Sequence, residues 1–294
     1  MSRLFVTLQF LLPHHLLCRI VYATTRVRTS WLKNLLIGAF VRAYKPEMAD
    51  AVQTDPRRYE TFNAFFTRAL RADARPVDPD PRRLVSPCDG TLSVAGSLLA
   101  NRMLQAKGHY YSVEALLAAE RRITDSFSEG LYTTIYLAPY NYHRLHMPLS
   151  GRLREAWYVP GRLFSVNSAT VERVPGLFAL NERVVCLFDG HRSPFVLVLV
   201  GALFVGSMST VWHGEITPWR GALPRSNSTP VRLRSIEGAD PWRERGAEFA
   251  RFNMGSTIVM MMPPGTALWD PALQPGQRLI VGQGMGSLTA LTES

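Results

Sequence analysis

The chain has 294 residues, room for one large domain or a domain with an appendage, and 47% apolar residues give it material for a sizeable core. Lys and Arg outnumber Asp and Glu by 33 to 23, a net charge of +10, which points to a polyanionic partner: nucleic acid, an anionic membrane surface or acidic substrates. Three widely spaced cysteines with no CxxC pair argue against a zinc ribbon or a disulfide framework and fit a reducing compartment; no secretory signal and no uninterrupted apolar run of about 18 residues is present, so no transmembrane helix is predicted.

The charge is unevenly distributed. Residues 1–45 hold Arg3, Arg19, Arg26, Arg28, Lys33, Arg42 and Lys45 and no acidic residue; the first is Glu47. Residues 3–22 are apolar with basic and polar breaks, and Pro13 argues against one continuous helix. Over 31–44, Leu32, Leu35, Leu36, Ala39, Phe40 and Ala43 recur at helical spacing, with Lys33, Asn34 and Arg42 off the stripe and Trp31 and Tyr44 at its ends. An amphipathic basic region of this kind suits an anionic membrane surface, and the charge is assigned there and not to nucleic acid. The alternative is a helix packed on its own core. Thr61 to Leu70 reads as a short helix with Phe62, Phe65, Phe66 and Leu70 facing the core. Arg71 to Arg83, rich in Pro, Asp and Arg, reads as a loop or linker.

From residue 84 the signals change to strands and turns. Ser112 is a candidate cap for a helix to about Glu120. Strands are predicted at 131–137, 153–159, 184–188 (with a turn at Asp189-Gly190), 195–205, 211–216, 256–262 and 278–281, and 220–240 reads as a loop. The expected class is therefore α+β: one β-rich catalytic body over 84–294 with peripheral helices, preceded by a helical membrane-docking region over 1–70.

Three segments carry groups that do chemistry. Gly255-Ser256-Thr257 runs into the apolar stretch Ile258 to Met262, and a glycine there leaves its peptide uncrowded. Alone, such a tripeptide is more often a plain turn before a strand. Asp89 sits in the tight turn PCDG at 87–90, and His143 and His146 share one short loop between Pro139 and Pro148. These residues allow three readings. Asp89 could orient a histidine that activates Ser256 as a nucleophile. Asp89, His143 and His146 could instead ligate a metal. Or the histidines are loop residues bonded to backbone.

Taken together, YETFNAFF at 59–66, PCDG at 87–90, LQAKG at 104–108, YHRLHMP at 142–148, YVPGRLFSVN at 158–167, NERV at 181–184, VG at 205–206 and FNMGST at 252–257 resemble the bacterial phosphatidylserine decarboxylases, the membrane-associated, pyruvoyl-dependent kind. Cys88 stands where that family's turn favours alanine, and Met254 where it favours leucine; neither change removes a reacting group. The resemblance implies a proenzyme. Ser256 Oγ attacks the Gly255 carbonyl to form an ester, elimination cuts the chain, and loss of ammonia turns residue 256 into a pyruvoyl group. Fragments 1–255 and 256–294 stay associated. It further implies a relay in which His146 is the base for Ser256 and Asp89 stabilises the imidazolium, with His143 left for protonating the decarboxylated carbon or neighbouring the substrate carboxylate. In turnover the pyruvoyl ketone would form a Schiff base with phosphatidylserine, accept the electrons released with CO2 and yield phosphatidylethanolamine, without metal or added cofactor. A homodimer at the cytoplasmic face of the cell membrane is also implied. The competing enzyme reading is a membrane-associated serine hydrolase that uses Ser256, His146 and Asp89 on an external ester without cutting itself. It lacks the Gly-x-Ser-x-Gly elbow of many such enzymes.

Overall fold

The computed structural model describes residues 2–106, 108–204, 207–216 and 229–289, with only the backbone for residues 2–4. The expected motif residues Lys107, Val205 and Gly206, and residues 220–228 of the predicted 220–240 loop, lie outside the described residues.

The class is α+β, mostly sheet with helices at the chain's start. Three helices open it: α1 (Ser2–Leu11), α2 (His14–Thr25) and α3 (Ser30–Tyr44). Pro13 breaks the first two as expected, because it cannot donate to the ladder, and their axes bend by 92°. No single described helix is long and apolar enough to cross a membrane; the bent pair passes only together, by length and composition.

In α3 the buried residues are Lys33, Ile37 and Phe40; of the stripe read from the sequence only Phe40 is fully buried, and Leu35 is 62% exposed. Lys33 tolerates burial because its ammonium donates to the Arg57 carbonyl (2.7 Å) and Asn34 Oδ1 (2.8 Å). Ile37 and Phe40 pack on a small aromatic cluster with Phe62, Phe65 and Phe66 of helix α4 (Phe62–Phe66). Thr61 caps α4 by accepting from the Ala64 amide. The helix stops at Phe66, short of the predicted end at Leu70, because Leu70 bridges in β fashion to Ala51.

Among the described residues the main sheet has nine antiparallel strands. In its interior, Thr257–Met262 lies between Pro194–Val200 and Leu131–Tyr136, paired on both sides. Arg183–Gly190 and Gly151–Val159 continue the sheet on one flank, and Gly90–Ser97 and Arg278–Leu279 on the other. All six residues of Thr257–Met262 are buried, which explains a continuous apolar run in place of alternation.

Several predicted boundaries move. The 195–205 strand ends at Val200. The turn expected at Asp189-Gly190 falls at 191–192, since Asp189 still pairs with Pro194 and the Gly190 amide donates to the Ser193 carbonyl. The 211–216 segment is not one strand: Met208–Thr210 and Gly214–Ile216 form a hairpin, closed by Thr210 Oγ1 accepting from the His213 amide and by Gly214 at φ +66°. The Ser112-capped helix ends at Leu117, where Ala118 turns left-handed.

Candidate active site

Backbone pairing brings the histidine loop to the Gly-Ser segment. Arg144–His146 pairs with Glu248–Phe252, the strand that leads into Gly255-Ser256, and the Phe252 amide donates to the His143 carbonyl (3.0 Å). On the far side of the serine, the Leu137 amide donates to the Ser256 carbonyl (2.8 Å). Asn253 ties the loop between down: its side-chain amide donates to Ser207 Oγ (2.7 Å), Ser209 Oγ (3.2 Å) and Glu215 Oε1 (3.3 Å). Its carbonyl accepts from Asn63 of α4 (2.8 Å). Glu215 is also ion-paired to Arg26, just past α2, so the first helices and the Gly-Ser loop share one polar network.

Ser256 is fully buried, and its Oγ has no hydrogen-bond partner. His143 is also fully buried. Its Nδ1 faces the Asn141 carbonyl at 2.9 Å, so Nδ1 carries the proton and Nε2 presents a bare lone pair, with no partner. That Nε2 points at Gly255: a Cβ built there would stand 3.4 Å from it and 3.4 Å from the Leu137 carbonyl oxygen. Gly255 does not have a positive φ, so its value is the close approach it permits and not an unusual backbone angle. The Phe66 ring covers the imidazole at a centroid distance of 4.1 Å. Burial, and then the charge of Arg68, pull the His143 pKa down to about 3, against the bond to Asn141.

His146 sits differently. It is half-buried, its Nδ1 faces the Gly246 carbonyl (2.8 Å), and its Nε2 accepts from Tyr142 Oη (3.1 Å). Burial lowers its pKa, while Glu248 and Asp89 act the other way. Asp89 is clamped by Arg75, whose Nε and Nη2 reach both carboxylate oxygens (2.7–3.1 Å), and it accepts from the Val281 amide (2.9 Å). Burial by itself disfavours the Arg75 cation, but its bonds to Asp89 and Asp50 outweigh that and hold its pKa above the ordinary value.

All four residues singled out in the sequence therefore lie in or beside one region, with different partners from those expected. Neither hydrogen bond of the Asp89–His146–Ser256 relay is formed: Asp89 is bonded to Arg75 and His146 to Tyr142. No metal site is assembled either; among the described residues no three His, Cys, Asp or Glu side chains converge as ligands. Sequence reasoning missed Arg75, which fell in the predicted loop, Arg68, which fell unremarked in the predicted Thr61–Leu70 helix, and Asn253, quoted only as a motif letter; it read Phe66 as core-facing but not as the ring over His143. An arginine near a Pro-Asp-rich loop gives no sign in the sequence that it turns inward.

The model of the family described as phosphatidylserine decarboxylase matches residues 62–287, and a second, described as PSD, matches residues 4–45. Curated relatives named phosphatidylserine decarboxylase proenzyme include one from Pseudomonas fluorescens, 47% identical over 97% of both chains. Another, from Methylococcus capsulatus, is 45% identical over 97% of this chain and 96% of its own. A third, from Azotobacter vinelandii, is 46% identical over 97% and 98%.

Proposed function

The chain belongs to the phosphatidylserine decarboxylase family, and we infer that it removes the carboxylate of phosphatidylserine as CO2 to give phosphatidylethanolamine, using a catalytic group made from its own Ser256. The observation that carries this is the pair of buried, unpartnered atoms at Gly255-Ser256: a serine hydroxyl, and an imidazole lone pair against the glycine before it. Such a pair fits conversion of Ser256 to a pyruvoyl group, which when formed supplies the electron sink for decarboxylation.

In the uncut chain Ser256 Oγ gives up its proton and attacks the Gly255 carbonyl. His143 is the base we assign, because its tautomer is fixed with Nε2 free beside Gly255; Nε2 and Ser256 Oγ are not hydrogen-bonded to each other, so the hydroxyl must turn to it before the proton moves. Asp89 and His146 keep a place in the catalytic set. Asp89 favours the His146 cation through space, and Tyr142 would have to release His146 Nε2 before the relay expected from the resemblance could form. The external-ester hydrolase has no support: the Ser256–His146–Asp89 hydrogen bonds it needs are not formed, and the relatives are proenzymes.

After the cut, fragment 256–294 is held at three places: in the interior of the main sheet, at its edge through Arg278–Leu279, and with Arg83–Val85 through Gly284–Leu288. Each buried side chain from Ile258 to Met262 contributes about 1.5–3 kcal/mol, far more than one peptide bond's local constraint, so association persists. The first helices are assigned to an anionic membrane at the cytoplasmic face. Leu11 (78% exposed), Trp31 (69%) and Leu35 face outward in a stretch with basic but no acidic residues.

The test is release of CO2 from phosphatidylserine in detergent micelles by the purified chain, with phosphatidylethanolamine formed in equal amount. Ser256→Ala must abolish it, and turnover by that variant would contradict the assignment.

A further inference from the structure

Arg68 lies just past the Thr67 cap of α4, is 3% exposed, and meets no carboxylate among the described residues. Its Nη2 donates to the Tyr140 carbonyl at 3.3 Å, while Nε and Nη1 are buried without partners. A guanidinium buried with open donors is costly unless an anion completes it. Arg68 lines a cavity of about 310 Å³, together with Lys45, Asp89, Tyr140, Tyr142 and Arg278. The carboxylates there are already engaged: Asp50 and Asp89 bind Arg75, and Glu47 meets Arg278 at 3.4 Å. Lys45, at the end of α3, sits at the rim, so the cavity reaches the helix that carries Trp31 and Leu35. At its inner side Arg68 is near enough for its charge to be felt by His143.

We propose that Arg68 is a specificity-determining residue that holds the phosphodiester of the phosphatidylserine headgroup, orienting the amine and carboxylate toward residue 256. This rests on the reaction inferred above. The substrate carries two anionic groups, and catalysis decides between them. A cation bound to the carboxylate stabilises a charge that disappears as CO2 leaves, which raises the barrier. The phosphodiester keeps its charge throughout, so an arginine there adds equally to ground and transition state. Each open donor, Nε or Nη1, shares an edge of the planar guanidinium with Nη2, so two phosphate oxygens fit along one edge while the other N–H of Nη2 stays on the Tyr140 carbonyl.

The experiment uses full-length Arg68→Gln and Arg68→Lys beside wild type. Wild-type cutting and CO2 release are read first, so a failure of the inferred reaction appears there and not in the variants. Both variants should mature into two fragments. With a short-chain phosphatidylserine, Arg68→Gln should raise KM about ten- to a hundredfold, the worth of charge-assisted hydrogen bonds, and leave kcat within about threefold. Arg68→Lys should recover part of the KM. Inhibition by short-chain phosphatidylethanolamine, which has the phosphodiester and no carboxylate, should weaken in Arg68→Gln by the same factor. The proposal is overturned by an unchanged KM, by a loss mainly in kcat, or by failure of both variants to mature. It is also overturned if KM rises while phosphatidylethanolamine inhibition is unmoved, which would move the contact to the carboxylate.

Discussion

His143 Nε2 and Gly255 face each other closely enough that a methyl group on the glycine would stand 3.4 Å from the nitrogen. That contact puts a neutral, correctly protonated imidazole against the residue whose carbonyl must be attacked, and its consequences can be measured one at a time.

If His143 takes the serine proton, His143→Ala should slow self-cleavage by about a hundredfold or more, the usual scale for a lost general base. His146→Ala should still cut. Time courses by denaturing electrophoresis decide this; an uncut His146→Ala chain with normal cutting in His143→Ala would return the role to the Asp89–His146 relay.

The acid side of the pH profile should be unusual. With its pKa near 3, His143 stays a base well below the ordinary histidine range, so the rate of self-cleavage should hold level down through pH 6.5. An inflection near 6.5 would point to a solvated imidazole. Stability moves separately. The unfolded chain binds a proton to this histidine below about pH 6.5 and the folded chain does not until about 3, so stability is full above 6.5 and falls as pH drops. The slope is about 1.4 kcal/mol per pH unit for one such group, and the lowered pKa of His146, His14, His15 and His213 acts in the same direction. Thermal denaturation of Ser256→Ala against pH, where cutting cannot interfere, measures it.

Asp89→Asn should destabilise the fold whatever its effect on cutting. It leaves the mostly buried Arg75 with only Asp50 as a carboxylate partner, and breaking a buried pair costs roughly 3–5 kcal/mol. Comparing denaturant midpoints with and without the change in a Ser256→Ala background separates that effect from the chemistry. A loss below about 1 kcal/mol would mean the clamp carries little.

Membrane docking should depend on exposed apolar groups as well as charge. Replacing Trp31 and Leu35 together by serine removes two outward side chains that no core contact requires, and should weaken sedimentation with anionic vesicles at least about tenfold. Raising salt should weaken binding of the unaltered chain. Binding indifferent to both would make these helices packing elements only.

Much of this architecture is legible in the chain because its signals are local. Pro13 breaks a helix, Ser112 caps one, and an apolar run after Gly255-Ser256 forms the buried interior strand. What could not be read depends on long-range partners. Lys33 looks like a solvent-facing residue until Arg57 supplies a carbonyl for it. The 211–216 stretch looks like one strand until Thr210 closes a turn against His213. In the site, residue types and loops were evident from the motifs, but which histidine faces Gly255 is set by the pairing of Arg144–His146 with Glu248–Phe252. Arg75, in a predicted loop, and Arg68, in a predicted helix, were hidden because a charged residue turns inward only when the fold offers it an anion or a cavity.

The most direct measurement is the intact mass of the purified chain under denaturing conditions. The account predicts two species divided between Gly255 and Ser256, the smaller one lighter by one ammonia than hydrolysis alone would leave, and a single uncut species for Ser256→Ala. A single uncut chain from a preparation that decarboxylates phosphatidylserine would contradict it.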